Sequence, residues 1–335
     1  MAEDKNRDYW FIVSPGDILA EKLEEMGMDV NEFAKRIGYT PKTVNELLKG
    51  KCRISTEVAL NLEYATDIAA EEWLNMQRVY EEDLVRKKLL GSFKNTPLWR
   101  ADFPLKELSP RNWIKDLDNE EDNVSPILRF FRVASPKAWR DYYLDAGLKV
   151  AFRISLSEVQ DPYATSVWLR RGEILAEAIP MEKQNDKKLR SALKKALPQF
   201  LDLARTYGGD QTMGEPGEID EGMQKLQELG LSLGIKILYV QNFKSAPVHG
   251  MSRWYRDIPV IQIHDRFKSR KAFWFTFFHE LSHIILHGKK DIFIKNVYHG
   301  NKNAQKEEEA DLFAQKCMAD AGLVMDAELR KFVNV

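Results

Sequence analysis

Apolar residues recur at helical spacing along most of the chain, and two short apolar runs interrupt that pattern. Residues 15 to about 88 predict short helices joined by tight turns. Longer helices are predicted at about 165–179, 187–206, 218–232, 271–287 and 304–320. The runs IKILYVQ (235–241) and PVIQIH (259–264) favour strands, joined by a turn-rich segment that contains Gly250. The pattern predicts an all-α N-terminal part and an α+β C-terminal part.

Residues 91–145 differ from both parts in composition. Five prolines recur there, and residues 116–123 form the acidic run DLDNEEDN. Because proline ends helices and acidic runs favour solvated loops, we expect a partly mobile connector of short helices and loops. The sequence therefore predicts three segments, at 1–90, 91–145 and 146–335.

Residues 30–49 contain two amphipathic patterns separated by a tight turn. The apolar faces consist of Phe33, Ala34 and Ile37 in the first pattern and Val44, Leu47 and Leu48 in the second. Gly38 lies where the chain must turn sharply, Thr40 is a good N-cap, and Pro41 suits the first helical position. This arrangement predicts a helix-turn-helix.

The charge of the chain is nearly balanced at −1, so any nucleic-acid contact requires a local basic patch. Residues 35–53 provide one, with Lys35, Arg36, Lys42, Lys49, Lys51 and Arg53 against a single acid, Glu46. We expect the second helix to read base edges in a major groove while neighbouring lysines contact phosphates. The candidate DNA-binding residues are Thr40, Lys42, Thr43, Asn45, Lys49 and Lys51. The alternative is a helical hairpin whose basic face serves packing or protein contacts.

The segment from PGDILAEKL to EEWLNMQ, residues 15–77, resembles the HigA-type antitoxins of the Xre helix-turn-helix superfamily. The shared features are the opening PG-IL-E-L, the segment TVNELLKGK, the pattern IS-E-AL-L and the closing WLNMQ. The resemblance implies a lambda-repressor-like fold and a homodimer that binds a palindromic operator in double-stranded DNA. It also implies repression of a toxin–antitoxin operon, with a cognate toxin as a possible partner.

All six histidines lie between residues 249 and 299, and three of them fall in the apolar stretch WFTFFHELSHIILHG (274–288). His279 and His283 are one helical turn apart, so both imidazoles can reach one metal ion, for which zinc is the expected identity. Glu280 lies beside them and can act as a base on a water. His287 lies about 12 Å from His279 along a helix axis, too far to share that ion. We expect it to be a helix-terminal residue.

A third ligand is expected from KEEEADLFAQKCM (306–318). Ala310, Phe313, Ala314, Cys317 and Met318 define its buried stripe. At 100° per residue Glu307 falls on the face of that stripe, whereas Glu308 points away and Glu309 lies well off it. We expect Glu308 and Glu309 to form a solvated helix start, and Asp311 to hold a ligand histidine from outside.

This pairing resembles the ImmA/IrrE-type zinc peptidases, in which HExxH is followed by a helix with E-x-E-A-(N/D)-x-F-A. The matching positions here are Glu307, Glu309, Ala310, Asp311, Phe313 and Ala314. The resemblance implies a zincin-like α+β domain of the gluzincin type, with Glu280 as general base. It leaves the oxyanion-stabilising residue open among His249, Tyr255, Tyr298 and His299, each of which has a structural alternative.

Together these features predict a DNA-binding regulator with a zinc endopeptidase domain, acting in a toxin–antitoxin or in a stress or phage-response circuit. The alternative is a non-catalytic antitoxin-repressor whose zinc-binding domain only binds a toxin or another partner. Cys52 and Cys317 are the only cysteines, which fits a reducing cytosol. With no signal-peptide pattern and no long apolar run, a cytoplasmic protein without a membrane partner is expected.

Overall fold

The computed structural model describes residues 13–94, 97–117, 124–145, 161–209, 219–241, 243–244, 248–264, 269–287, 293–294 and 304–324. The chain divides into two compact units, Met1–Thr96 and Pro97–Val335. The boundaries expected at residues 90 and 145 remain predictions. No helix in the described part of the chain has the length and apolar character needed to cross a membrane.

The first unit is helical. Its helices are α1 (Pro15–Glu25), α2 (Val30–Ile37), α3 (Pro41–Leu48), α4 (Thr56–Thr66) and α5 (Ala70–Lys94). The last helix has 25 residues and is longer than the short helices expected before residue 88. Its start is buried through Trp73, which is fully enclosed with Leu19, Phe33 and Leu62.

Side chains define the ends of these helices. Asp29 accepts hydrogen bonds from two amides at the start of α2, and the hydroxyl of Thr40 accepts one from the amide of Thr43 in α3. Between them Gly38 has a φ of 75°, which costs glycine little. Gly16 allows α1 to lie on the end of α3, because a Cβ there would meet two carbonyl oxygens at 2.5 Å.

The second unit begins with α6 (Pro97–Ala101), α7 (Leu105–Leu108), α8 (Ser125–Phe131) and α9 (Pro136–Arg140). These short helices pack around aromatic rings, with Trp139 stacked on Tyr163 at 4.8 Å between centroids. The described part of the segment expected to be a connector therefore has a buried core. The longer helices are α10 (Pro162–Ala178), α11 (Asp186–Tyr207), α12 (Glu221–Leu233), α13 (Arg270–Leu286) and α14 (Ala304–Asp320).

A four-stranded sheet lies in the same unit. Its strands are β1 (Lys236–Tyr239), β2 (Gly250–Tyr255), β3 (Ile258–Ile263) and β4 (Phe293–Ile294), in the order β1-β3-β2-β4. β1 runs parallel to β3, whereas β2 is antiparallel to β3 and β4. The sequence interpretation of the segment around Gly250 as a turn-rich connection was therefore wrong, because β2 occupies it.

The sheet lies between two helices. On one face, α13 lies against Gly250 and shares the main apolar core with Ile261 and Ile263 of β3. On the other face, Glu173 of α10 forms buried ion pairs with Arg170 at 2.6 Å and with Arg253 of β2 at 3.0 Å. This sandwich fixes the position of α13, which carries the HExxH segment.

Candidate functional site

The helix α13 is buried on every side, as its apolar sequence predicts. All of its residues from Ala272 to Ile285 are buried, including three polar groups that carry chemistry: His279, Glu280 and His283. A charged or polar side chain in such surroundings needs a partner to offset the loss of water. For the two histidines, carboxylates of α14, which packs along α13, are such partners.

Side chains of three residues that can bind a metal converge between the two helices. Nε2 of His279 and Nε2 of His283 are 3.1 Å apart. Oε2 of Glu307 lies 3.2 Å from the first nitrogen, and its Oε1 lies 3.6 Å from the second. Oε1 is buried and accepts no hydrogen bond from the described residues. The group His279, His283 and Glu307 therefore could hold a metal ion, as the helical phase predicts.

Each histidine of this group is also held through its other ring nitrogen. Nδ1 of His279 lies 2.8 Å from Oδ1 of Asp311, the residue that the sequence predicts to hold a ligand histidine. Nδ1 of His283 lies 2.9 Å from Nδ1 of His287, whose Nε2 in turn lies 3.2 Å from Oε2 of Glu309. Neither His287 nor Glu309 was expected at the site from the sequence. The i, i+4 spacing of His283 and His287 was the signal that could have indicated the first contact.

Glu280 is fully buried beside the proposed ligands. It lies against the backbone of β2, since a Cβ on Gly250 would come within 3.0 Å of Oε1 of Glu280. The same Cβ would meet the methyl group of Thr276 at 2.6 Å. Glycine at the start of β2 thus permits the strand to approach α13 at the position of the proposed base.

Two of the four candidates for oxyanion stabilisation fall on described residues. The hydroxyl of Tyr255 donates a hydrogen bond to Oε1 of Glu177 at 2.6 Å, on the face of the sheet opposite to Gly250. Burial raises the pKa of this tyrosine, as does its contact with Glu177. The ring of His249 packs 6.2 Å from that of His264. Tyr298 and His299 lie outside the described residues.

The free thiol of Cys317 lies on the buried stripe of α14. Burial raises its pKa to about 12, so the reactive thiolate is disfavoured at neutral pH. This environment agrees with the interpretation of Cys317 as a core residue.

The candidate nucleic-acid interface lies on α3 and the loop after it. Lys42, Asn45, Lys49 and Lys51 are exposed, and Thr40 and Thr43 share a hydrogen bond between hydroxyls at 2.9 Å. The amide group of Asn45 donates to the carbonyl of Pro41 at 2.9 Å, which orients it along the helix.

Two residues of the basic patch are engaged in ion pairs. Arg36 pairs with Glu32 at 2.5 Å and Arg53 with Glu81 at 2.9 Å. For the lysines of α3 and the following loop, no ion pair occurs among the described residues. These exposed lysines are therefore the charges most available to phosphates.

Two family models match this chain. Residues 18–72 match the Cro/C1-type HTH DNA-binding domain, and residues 232–333 match a peptidase family described as IrrE N-terminal-like domain. The first range contains α2 and α3, and the second contains the sheet, α13 and α14. The two matches thus fall on the two candidate sites.

Individual relatives and solved structures match only part of this chain. An uncharacterized HTH-type transcriptional regulator of Escherichia coli K12, YddM, is 35% identical over 66 residues, or 20% of this chain and 70% of the relative. The solved structure of an addiction module antidote protein of a HigA family from Coxiella burnetii is 31% identical, with a TM-score of 0.23, and covers 25% of this chain and 91% of that chain. The solved structure of Pseudomonas aeruginosa antitoxin HigA with higBA promoter is 25% identical, with a TM-score of 0.23, and covers 25% of this chain and 91% of that chain.

Proposed function

We propose that this chain is a repressor with a zinc-dependent endopeptidase domain. It belongs to the Cro/C1-type helix-turn-helix regulators and carries an IrrE N-terminal-like domain. The observation that supports this proposal most directly is the convergence of His279, His283 and Glu307 beside the buried Glu280. The N-terminal unit would direct the protein to an operator. The C-terminal unit would cleave a protein partner in a toxin–antitoxin, stress or phage-response circuit.

The donor spacing supports zinc as the ion. A tetrahedral zinc with bonds of about 2.0–2.1 Å separates its ligand atoms by about 3.3 Å. Nε2 of His279 lies 3.1 Å from Nε2 of His283 and 3.2 Å from Oε2 of Glu307, and both distances are close to that value. Two imidazoles and one carboxylate also form a donor set typical of catalytic zinc, which leaves one position for water or substrate.

Glu280 is the proposed general base. When bound, zinc would polarise the scissile carbonyl and make a nearby water more acidic. The carboxylate of Glu280 would take the proton of the attacking water and return it to the leaving amine. The close contact with Gly250 restricts the positions that this carboxylate can adopt. Glu280 is not part of the donor triad, so its removal should affect chemistry and not metal binding.

The helix-turn-helix would bind its operator as a homodimer. Two copies of α3 would enter successive major grooves of a palindromic site, with half-sites about one helical turn apart. The exposed Lys42 and Asn45 would read bases, while Lys49 and Lys51 would contact phosphates.

A comparison of Glu280→Gln with His279→Ala tests the peptidase. Both variants and the full-length protein should be assayed for zinc by atomic absorption, and for repression of a reporter fused to the promoter of the gene itself. Cleavage should be assayed on the protein encoded next to that gene. We expect Glu280→Gln to keep about one zinc per chain but lose cleavage and relief of repression, and His279→Ala to lose zinc as well.

The same assay distinguishes a protein that only binds. If Glu280→Gln retains zinc and every function of the wild type, the domain is a metal-stabilised binding module and the peptidase proposal fails. Wild-type protein without zinc would reject the metal centre itself.

A further inference from the structure

The residue His287 ends α13 and turns its ring back towards the proposed ligands. Its backbone is extended, with φ of −102° and ψ of 176°, while its amide still donates to the carbonyl of His283. The side chain is 5% exposed, and its ring centroid lies 5.1 Å from that of His283. The helix end thus places a second imidazole directly behind a ligand imidazole.

Neither ring nitrogen of His287 faces the donor cluster. Its Nδ1 lies 2.9 Å from Nδ1 of His283, and its Nε2 lies 3.2 Å from Oε2 of Glu309. A role as a fourth metal ligand is therefore excluded by geometry. What remains is a chain of three side chains that runs from the cluster to the surface, where the carboxylate of Glu309 is 46% exposed.

Metal ligation by His283 would determine the direction of both hydrogen bonds in the series His283, His287 and Glu309. If Nε2 of His283 donates its lone pair to a metal, the proton of the neutral ring must be on Nδ1. That N–H then donates to Nδ1 of His287, 2.9 Å away, which must be unprotonated. The proton of His287 is consequently on Nε2, and its acceptor is Glu309. A carboxylate can accept a hydrogen bond there, so the tautomers of the two histidines are mutually consistent.

The outer end of the chain is itself held. Gln305 lies one helical turn before Glu309 in α14, and its Nε2 donates a hydrogen bond to Oε1 of Glu309 at 3.1 Å. Gln305 and His287 therefore engage the two oxygens of Glu309 separately. The equivalent support for His279 is direct, because Asp311 touches its Nδ1. One ligand histidine is oriented by a carboxylate, and the other by a carboxylate acting through an imidazole.

We infer that Glu309 and His287 are positioning residues, which fix the tautomer and orientation of His283 and thereby increase the metal affinity of the site. The inference rests on the proposed metal centre. It assigns a function to a surface glutamate whose helical phase alone predicts a solvated side chain. Glu309→Ala should accordingly still bind metal, but less tightly than the wild type.

Zinc affinity of the full chain, measured by competition with a chromogenic chelator at fixed pH, tests this inference. Glu309→Ala should weaken zinc binding by about 10-fold or more, within the range of about 10–100-fold known for such outer partners. Glu308→Ala is the matched control, because it removes the same charge from the adjacent exposed position. Glu309→Gln should recover most of the affinity, since its amide oxygen can still accept from Nε2 of His287.

A double-mutant cycle separates positioning from simple charge. If Glu309 acts through His287, then His287→Leu with Glu309→Ala should bind zinc no more weakly than His287→Leu alone. The visible spectrum of bound Co²⁺ should change in both single variants and not in Glu308→Ala, because it reports ligand geometry.

Equal zinc affinity of Glu309→Ala and Glu308→Ala, or strictly additive losses in the double variant, would overturn the inference. Either result would leave the zinc peptidase proposal intact as long as wild-type protein binds zinc tightly. Wild-type protein that binds no zinc would reject both proposals. Glu309 is exposed, so its substitution should not prevent folding, and circular dichroism of each variant checks this.

Discussion

Gly250 of β2 and Glu280 of α13 are in closer contact than any residue with a side chain at position 250 would allow. An added Cβ would meet Oε1 and Cγ of Glu280 at 3.0 and 3.1 Å, and the methyl of Thr276 at 2.6 Å. Real Cβ atoms do not approach other atoms as closely as the last of these values, so the strand, the helix or both would have to shift. The proposed base and its supporting strand are therefore coupled sterically.

Gly250→Ala should consequently reduce any peptidase activity much more than it reduces zinc binding. Overpacking of this kind costs about 1–3 kcal/mol of stability, and the nearest atoms that the added Cβ would meet belong to Thr276 and Glu280 and not to the histidines. Activity and zinc content of the full chain provide the measurement. Gly209→Ala is the control, because a Cβ there has no neighbour within 4 Å. Unchanged activity in Gly250→Ala would show that the contact does not position the base.

The donor triad of this site could be predicted from sequence because helical geometry is regular. Two histidines four residues apart share a face in any helix, and the phase of the apolar stripe in α14 separates Glu307 from Glu308. The contact between His287 and Glu309 could not be predicted in this way. It depends on where the helix ends and how one ring is turned, and neither follows from periodicity.

The strand β2 was missed for a different reason. Ser252 and Arg253 are both buried, on opposite faces of the sheet, so the polar residues of this strand do not alternate with apolar ones. The hairpin turn is Arg256–Asp257, with φ of 49° and 67°, instead of the Asn-Gly or Asp-Gly that marks such turns in sequences. Tertiary partners, above all Glu173, make this polar strand stable.

Substitutions on α3 and in the loop after it should separate base reading from phosphate contact. Lys49→Ala and Lys51→Ala should each weaken binding to every DNA sequence alike. Each should also reduce the slope of affinity against salt concentration by the amount expected for about one phosphate contact. Lys42→Ala with Asn45→Ala should instead reduce discrimination between the cognate site and unrelated DNA. Footprinting and binding over a salt series, on the DNA upstream of the gene itself, provide the measurement. An unchanged footprint in the Lys42, Asn45 double variant would contradict the assignment of α3 as the recognition helix.

Glu173→Gln should strongly destabilise the C-terminal unit. The side chains of Glu173, Arg170 and Arg253 are 8%, 5% and 1% exposed, so the amide would remove the nearest negative charge from two buried guanidinium groups. Breaking a buried pair in this way costs about 3–5 kcal/mol. Calorimetry of the full chain should show a lower melting temperature for one transition. Asp257→Asn is the control, since its partner Lys183 is 66% exposed and such surface pairs contribute about 0–1 kcal/mol. Equal shifts in both variants would reject this prediction.

The carboxylate of Glu177 should make the stability of the same unit depend on pH below neutrality. Burial acts to raise the pKa of Glu177, but the hydrogen bond from Tyr255 and the guanidinium groups of Arg132, Arg170 and Arg256 outweigh it, and the net pKa is below the ordinary 4.5. Because the folded pKa lies below the unfolded one, ionised Glu177 stabilises the fold fully above about pH 5 and loses that effect as pH falls through the folded pKa.

Glu177→Gln should accordingly melt at a lower temperature than the wild type at pH 7, and the gap should narrow as the pH is lowered through 4.5 and beyond. The amide keeps the shape of the carboxylate and can still accept from Tyr255, so the pH-dependent part of the gap reports the charge. Calorimetry of the full chain over a pH series measures it. Glu228→Gln, on α12, is the reference substitution, because Glu228 forms no ion pair among the described residues. A gap for Glu177→Gln that stays constant from pH 7 to about 3 would show that its charge does not stabilise the fold.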